Sequence, residues 1–156
     1  MAPMAGITNP PFRLIAKRLG AGLVVTEMVS AVGLSRGHQK TFRYLDGFSE
    51  ERPLSVQIFG ADPQIMAMAA ELAVGKGADL VDINMGCPAR KVVKNGSGGA
   101  LLRNPVGVRD MVMAVRKACT VPLTVKIRAG WSPDDANFLE IAGVIEDCGA
   151  DAVTIH

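Results

Sequence analysis

The sequence predicts an α/β fold in which short parallel strands alternate with helices along the whole chain. Three observations lead to this prediction. Short Val- and Ile-rich segments recur between Gly and Pro residues, which is typical of buried strands. Longer segments with apolar residues at helical spacing separate them. Several of these longer segments begin with a capping residue followed by Pro, as helices often do. A regular alternation of strands and helices builds a parallel sheet.

Composition and charge place the chain among globular proteins and exclude several other classes. Of its 156 residues, 49% are hydrophobic and 21% are charged, so the chain is long and apolar enough for one domain with a core. It has no apolar stretch long enough to span a membrane and no signal-peptide layout. The net charge of +2 does not by itself indicate a nucleic-acid binder. Three cysteines without a CxxC pair disfavour disulfides and structural zinc, so a cytoplasmic protein without bound metal is expected.

Two repeated patterns locate the strands. Three segments begin with Gly-Ala and continue into a β-branched run that ends in a polar residue. Two others begin with Pro-Leu and alternate polar with β-branched side chains. Together with residues 1–6, which are interpreted as the first strand, they predict six parallel strands. The repeated segments are residues 20–27, 53–58, 77–84, 122–127 and 149–156.

Four residue pairs mark the predicted helix starts, because the first residue caps the helix and proline suits its first turn. They are Asn9-Pro10, Asp62-Pro63, Asn104-Pro105 and Ser132-Pro133. Apolar residues follow at helical spacing and are predicted to face the core. They are Ile65, Met68 and Leu72, then Val108, Met111, Val112 and Val115, then Phe138, Ile141, Ala142 and Ile145. Gly149 is expected to end the last helix, and residues 30–52 are expected to hold a helix and an irregular loop.

The strand–helix alternation favours a (β/α)₈ TIM barrel over a doubly wound open sheet. A doubly wound sheet usually carries a glycine-rich GxGxxG loop after its first strand, and residues 6–10 lack that pattern. A complete barrel needs about 250 residues, whereas this chain ends at its sixth predicted strand. The prediction is therefore an incomplete barrel of about six parallel strands.

Polar residues end the predicted strands, which in a barrel places them at the catalytic face. They are Glu27, Gln57, Asn84, Lys126 and His156. Period-two alternation puts Gln57 and Lys126 on the face opposite the apolar Val and Ile side chains. A lysine within a strand costs several kcal/mol unless an anionic or electron-rich group meets it, so a bound ligand would explain Lys126. The alternative is an edge-strand lysine whose ammonium reaches solvent.

Cys87 is the cysteine predicted to lie at the catalytic face. It follows a strand in the segment Asn84-Met85-Gly86-Cys87-Pro88, and its thiol could act as a proton donor or as a nucleophile. Packing in the core is the alternative. Cys119 and Cys148 lie near helix ends and are predicted to be packing residues away from the reactive face.

The segment after Cys87 carries three cations, Arg90, Lys91 and Lys94, which are candidates for phosphate contacts. A merely solvated run of charges is the alternative. The glycine-rich segment 95–99 matches neither the P-loop nor the dinucleotide spacing and is interpreted as a flexible loop. His38 is predicted to lie at the surface, whereas His156 at a strand end is a candidate ligand contact.

Several segments resemble the flavin-dependent tRNA-dihydrouridine synthases, and most of all their bacterial B-type branch. These segments occur in the family's order and cover essentially the whole chain. The block Asn-Met-Gly-Cys-Pro at 84–88 is highly specific, and the other segments are weak singly but strong together. The matching segments are 2–8 (Ala-Pro-Met-Ala-Gly-Ile-Thr), 11–13 (Pro-Phe-Arg), 26–28 (Thr-Glu-Met), 56–60 (Val-Gln-Ile-Phe-Gly), 62–63 (Asp-Pro), 82–88 (Asp-Ile-Asn-Met-Gly-Cys-Pro), 91–92 (Lys-Val), 125–128 (Val-Lys-Ile-Arg) and 154–156 (Thr-Ile-His).

The resemblance implies an FMN-dependent oxidoreductase that acts on tRNA. Hydride would pass from N5 of a flavin, reduced by NADPH, to C6 of a uracil, and Cys87 would protonate C5 to give 5,6-dihydrouridine. The target base would have to leave its stack to reach the flavin. The implied contacts are Pro3, Met4 and Ala5 at the flavin ring, Gln57 and Lys126 at its polar edge, His156 close by, Asn84 at the uracil or the cofactor, and Arg90, Lys91 and Lys94 at the substrate.

The resemblance also implies that residues 1–156 form the N-terminal part of an FMN-binding barrel domain. The last two barrel units and a helical C-terminal domain would be absent, so this piece alone is expected to be inactive. Three other functions stay open. They are an FMN barrel that reduces a free pyrimidine, similar to dihydroorotate dehydrogenase, an aldolase-like barrel with a Schiff base on Lys126, and a half-barrel that binds RNA without catalysis.

Overall fold

Six strands form one parallel sheet in the computed structural model, which describes residues 1–132 and 134–156. The strands are β1 (Val24–Val25), β2 (Val29–Ser30), β3 (Leu54–Phe59), β4 (Leu80–Met85), β5 (Leu123–Ile127) and β6 (Ala152–Ile155). Both β1 and β2 pair with β3, at its first and last residues respectively. They are therefore two parts of one barrel strand that is interrupted at residues 26–28. From there the order runs β3, β4, β5, β6.

Helices connect the strands and cover one face of the sheet. They are α1 (Pro10–Arg18), α2 (Ala31–Ser35), α3 (Gln39–Phe42), α4 (Pro63–Gly75), α5 (Arg90–Val93), α6 (Pro105–Ala118) and α7 (Phe138–Asp147), with 3₁₀ segments at Arg43–Leu45, Ser49–Glu51 and Gly98–Arg103. Parallel strands with helical crossovers, in sequential order, confirm the predicted incomplete (β/α)₈ barrel. Within the described residues, no helix combines the length and apolar character needed to cross a membrane.

The two faces of the sheet differ sharply in polarity. On the outer face, the apolar side chains of alternate residues pack against α4, α6 and α7, and they form the core. These outer residues include Val56, Ile58, Val81, Ile83, Val125 and Ile127. The inner face carries Ser55, Gln57, Asp82, Asn84, Thr124 and Lys126, as the predicted alternation requires. The barrel interior is therefore polar on this side.

Three of the four predicted helix starts are confirmed. Asn9, Asp62 and Asn104 each accept a backbone N–H of the first helical turn, and each precedes a proline at the start of α1, α4 or α6. The fourth prediction is wrong, because α7 begins at Phe138 after Asn137. Ser132 instead forms a short bridge with Asp135, which delays the helix, and Pro133 lies outside the described residues.

The prediction of a first strand at residues 1–6 is also wrong. Met1 is held near β1 by one hydrogen bond from its amine to the Leu23 carbonyl at 2.9 Å. The chain then turns, with the N–H groups of Ile7 and Thr8 both donating to the Met4 carbonyl at 3.0 Å. Gly6 permits this turn because its φ is +79°. This turn takes up the Met4 carbonyl and ends the extended course of the chain, and no strand is formed over residues 1–6.

The buried face of α4 differs from the predicted one at Met68, whose side chain is 49% exposed. Met66 and the small residues Ala69, Ala70 and Ala73 are buried instead. Alanine side chains allow α4 to pack closely against the sheet and α6, which turns Met68 toward solvent. On the predicted core faces of α6 and α7, six residues are fully buried, namely Val108, Met111, Val112, Val115, Ile141 and Ile145. The other two, Phe138 and Ala142, are half-buried.

Candidate active site

A cavity of about 220 Å³ lies at the C-terminal ends of the strands, where catalytic residues of barrels are found. Its walls come from the N-terminal segment, the break between β1 and β2, and the ends of β3, β4 and β5. The residues that line it are Pro3, Ala5, Met28, Gln57, Asn84, Gly86, Cys87, Pro88, Lys126 and His156. Most of the predicted site residues therefore converge on one cavity.

Strand register explains why these side chains meet. Gln57 on β3 lies opposite Asp82 on β4, and Asn84 on β4 lies opposite Lys126 on β5. Residues opposite each other in neighbouring strands share a face of the sheet, so all four belong to the inner face. Because β5 lies between β4 and β6, Lys126 is not on an edge strand, so the edge-strand alternative is wrong.

The loop after β4 presents Cys87 to the cavity. Asn84 Oδ1 accepts the backbone N–H groups of Gly86 at 3.2 Å and of Cys87 at 3.0 Å, which fixes the turn directly after the strand. On the other side, the Cys87 carbonyl accepts the N–H of Gly99 at 3.0 Å. The half-buried Cys87 thiol thus sits on a backbone that is held from both sides.

The glycine-rich segment 95–99 is not a flexible loop, contrary to the prediction. Ser97, Gly98 and Gly99 are buried and lead into a 3₁₀ segment beneath Cys87. Gly98 has a φ of +60°, and a Cβ there would lie 2.7 Å from the Cys87 carbonyl oxygen. These glycines therefore serve close packing under the reactive loop rather than mobility.

The amine of Lys126 is a half-buried donor at the cavity. Among the described residues, no hydrogen bond or ion pair to its Nζ is found within normal contact distances. Burial lowers the pKa of Lys126, and the nearby Asp82 carboxylate opposes this shift. An amine in this setting is well placed to meet an electron-rich ligand group.

Asp82 is a buried residue of the site to which sequence reasoning gave no role. Its two oxygens accept hydrogen bonds from Gln57 Nε2 at 2.6 Å and from Thr124 Oγ1 at 2.5 Å. Burial raises the pKa of the Asp82 carboxyl, while both hydrogen bonds and the charge of Lys126 act to lower it. The sequence did contain a signal for Asp82, because a residue two positions before Asn84 lies on the same face of the strand. Met28 also lines the cavity, and the sequence signal for it was its place in the matching segment 26–28.

Some predicted site residues lie elsewhere. Met4 is 42% exposed and does not line the cavity, although its neighbours Pro3 and Ala5 do. Glu27 accepts the N–H of Gly6 outside the cavity. The three cations Arg90, Lys91 and Lys94 are exposed on and after α5, next to the Cys87 loop but not in the cavity wall.

The remaining cysteines and histidine agree with the predictions. Cys119 is buried, Cys148 is half-buried, and neither lines the cavity. Burial raises the pKa of both thiols, which makes them poor nucleophiles. His38 is exposed. Over the residues that the structure describes, no group of three or more His, Cys, Asp or Glu side chains is arranged to hold a metal ion.

Comparisons with known proteins agree on one family. The family model described as "Dihydrouridine synthase" matches residues 1–156. The chain is 47% identical over 156 residues to tRNA-dihydrouridine synthase B of Xanthomonas axonopodis, covering 100% of the chain and 47% of that protein. It is 46% identical over 158 residues to the protein of the same name from Pseudomonas aeruginosa, covering 100% of the chain and 47% of the relative. It is 48% identical over 155 residues to tRNA-dihydrouridine synthase B of Proteus vulgaris, covering 99% of the chain and 48% of that protein. The chain thus spans about half the length of these relatives.

Proposed function

The chain belongs to the dihydrouridine synthase family, and we propose that it is the N-terminal part of the catalytic barrel of a tRNA-dihydrouridine synthase. The whole protein would reduce the C5=C6 bond of a uridine in tRNA, with FMN as cofactor and NADPH as reductant. The main support is that the Cys87 thiol and the Lys126 amine open into the same cavity. The cytoplasm, where tRNA is modified, is the proposed location.

The cavity residues fit the polar edge of a flavin. That edge is rich in oxygen and nitrogen acceptors, and the cavity offers it the amine of Lys126 and N–H groups of Gln57 and Asn84. The half-buried Lys126 amine has no hydrogen-bond partner among the described residues, and such a ligand would supply one. Pro3 and Ala5 would supply apolar surface at the ring, and His156 would lie near its edge.

Cys87 would act as the general acid of the reaction. When bound and reduced, FMN supplies the hydride that adds to C6 of the uracil. The Cys87 thiol would give its proton to C5, and the thiolate would be reprotonated from solvent. Asn84 would hold the Cys87 backbone through its oxygen and offer its remaining N–H to the uracil or the cofactor.

The RNA would approach from the side of α5. Arg90, Lys91 and Lys94 are exposed beside the Cys87 loop, where they would bind phosphates of a tRNA whose target base has left its stack. Three cations in this position suit a polyanionic substrate better than a free pyrimidine.

An assay of the purified full-length protein tests this proposal. With NADPH, FMN and tRNA that lacks dihydrouridine, we expect dihydrouridine to form, whereas free uracil and orotate stay unreduced. Reduction of a free pyrimidine but not of tRNA would replace the proposal with a dihydroorotate-dehydrogenase-like function. Borohydride trapping of a carbonyl substrate on Lys126 would favour an aldolase. Binding of tRNA without any reduction would indicate a non-catalytic RNA-binding role.

A further inference from the structure

A chain of hydrogen bonds joins Asp82 to the loop that carries Cys87. Asp82 Oδ2 accepts from Gln57 Nε2 at 2.6 Å, and Gln57 Oε1 accepts from Asn84 Nδ2 at 2.9 Å. Asn84 Oδ1 in turn accepts from the backbone N–H of Cys87 at 3.0 Å. The exposed fractions of Asp82, Gln57 and Asn84 are 6%, 1% and 8%, so water competes little with these bonds.

The two ends of this chain fix its direction. A backbone N–H can only donate, so Asn84 must turn its oxygen toward Cys87, and at the other end Asp82 Oδ2 accepts from Gln57 Nε2. The two carboxamides between them must therefore point the same way, each with its NH₂ group toward Asp82 and its oxygen toward Cys87. A 180° flip of the carboxamide of either Gln57 or Asn84 would bring two donors or two acceptors together. Buried polar groups would then be left without a hydrogen bond.

This direction decides which polar atoms remain for a ligand. The N–H groups of Gly86 and Cys87 occupy both lone pairs of Asn84 Oδ1, so Asn84 can offer only its second N–H. Gln57 likewise keeps a second N–H on Nε2. Both residues line the cavity together with Lys126. The side of a ligand that faces these three residues therefore meets hydrogen-bond donors, next to the Cys87 thiol.

We infer that Asp82 is a positioning residue whose carboxylate sets the orientation of Gln57 and Asn84, and through them the position of Cys87. The remaining N–H groups of Gln57 and Asn84, together with the Lys126 amine, then favour ligand edges built from carbonyl oxygens and unprotonated ring nitrogens. The identity of the ligand rests on the proposed function. The effect of Asp82 on Cys87 does not, because the hydrogen-bond chain exists without a ligand.

Alkylation of Cys87 in the full-length protein tests the inference without any assay of activity. The rate of reaction with iodoacetamide is followed by mass spectrometry of the Cys87 peptide. Asp82→Ala should raise this rate about fivefold, the equivalent of one ordinary hydrogen bond, because the Cys87 N–H loses a firmly held acceptor. Asp79→Ala is the matched control, since Asp79 accepts the N–H of Leu54 at 2.8 Å at the opposite end of the sheet. It should change the rate less than twofold.

A double-mutant cycle separates positioning from a merely structural role. Asn84→Ala should accelerate alkylation as Asp82→Ala does, and the double variant should be no faster than Asn84→Ala, because both changes break the same chain. Additive effects, or an Asp82→Ala rate equal to that of the Asp79→Ala control, would overturn the inference. If Asp82→Ala does not fold, Gln57→Met interrupts the same chain and should give the same acceleration, and an unchanged rate would overturn the inference.

The affinity for FMN gives a second readout. Asp82→Ala should weaken FMN binding about tenfold, because Gln57 is then free to turn its oxygen toward the ligand. If the wild-type protein does not bind FMN at all, the proposed function fails, while the alkylation cycle still decides the role of Asp82.

Discussion

The backbone of Cys87, the proposed proton donor, is held by hydrogen bonds on both sides. Its N–H and carbonyl are both bonded, to Asn84 and Gly99, and the thiol opens to the cavity. Cys87→Ala in the full-length protein should lower dihydrouridine formation roughly 10²–10⁴-fold and leave FMN bound, because the change would remove the proposed general acid and none of the donors proposed for the flavin. Quantification of dihydrouridine in tRNA by mass spectrometry measures this. The control is Cys148→Ala, which should keep activity. An active Cys87→Ala enzyme would remove the thiol from the mechanism.

Lys126 should set both the strength and the pH dependence of FMN binding. Lys126→Met should weaken binding by roughly tenfold or more, because a charge-assisted hydrogen bond is lost. Burial lowers the pKa of Lys126, so its ammonium loses its proton at a lower pH than an exposed lysine does. FMN affinity should therefore be highest below this pKa and fall as the pH rises through it. Titration of flavin fluorescence at several pH values measures both effects.

The control for Lys126 is Lys117→Met, which removes an exposed lysine of α6 outside the cavity. It should leave the affinity and its pH profile unchanged. If Lys126→Met has the same profile as the wild type, the ammonium does not contact the flavin.

At the scale of elements, the turn beneath Cys87 depends on Gly98. A Cβ at Gly98 would lie 2.7 Å from the Cys87 carbonyl oxygen and 2.9 Å from Val92 Cγ1, at a φ of +60°. Gly98→Ala should therefore lower the free energy of unfolding by about 2–4 kcal/mol and speed Cys87 alkylation. Gly96→Ala is the control, because its φ is +74° but its Cβ would meet only Ala61, at 3.6 Å. It should cost about 1–2 kcal/mol. Equal losses in the two variants would show that the turn does not pack as described.

A buried ion pair fastens α1 to the segment before β3. Arg13 Nε lies 2.6 Å from Glu51 Oε2, and the other Arg13 nitrogens donate to the carbonyls of Thr8 and Asp46. Arg13→Met leaves Glu51 buried without its cation and should cost about 3–5 kcal/mol in thermal or denaturant unfolding. Arg52→Met breaks an ion pair in which 53% of the arginine side chain is exposed, and it should cost at most about 1 kcal/mol. Similar losses from both changes would argue against the buried network.

Sequence patterns predicted the elements that local chemistry determines and missed those that depend on packing. The caps at Asn9, Asp62 and Asn104 are local, because each side chain bonds the turn that follows it. The exposure of Met68 depends on how closely α4 approaches α6, which the spacing of apolar residues does not encode.

The candidate site was predictable to a similar degree. Strand ends and period-two alternation place Gln57, Asn84, Lys126 and Cys87 correctly, because parallel strands share one C-terminal edge. The same alternation places Asp82 on the inner face, but its hydrogen bonds to other strands depend on the register, which the sequence pattern does not give. The packing of Gly98 depends on a contact between two distant parts of the same loop, so composition alone indicated a flexible segment.

On the scale of the whole molecule, one face of the sheet forms the core and the other carries the candidate site. Its outer face is an apolar core under helices, while its inner face and C-terminal edge carry the polar groups of the site. Within the described residues, β6 pairs with β5 alone, and most of its side chains are exposed. In the proposed complete barrel, two further strand–helix units would continue from this edge and close the cavity. The flavin phosphate would be held there, at the usual phosphate site of such barrels.

The most direct measurement of the proposed function is the dihydrouridine content of tRNA from a bacterial strain that lacks its own dihydrouridine synthases. Expression of the full-length gene that contains this chain should restore dihydrouridine, and expression of its Cys87→Ala form, at matched protein level, should not. Absence of dihydrouridine with the wild-type gene would contradict the assignment of the reaction. Equal restoration by both genes would contradict the assignment of the acid.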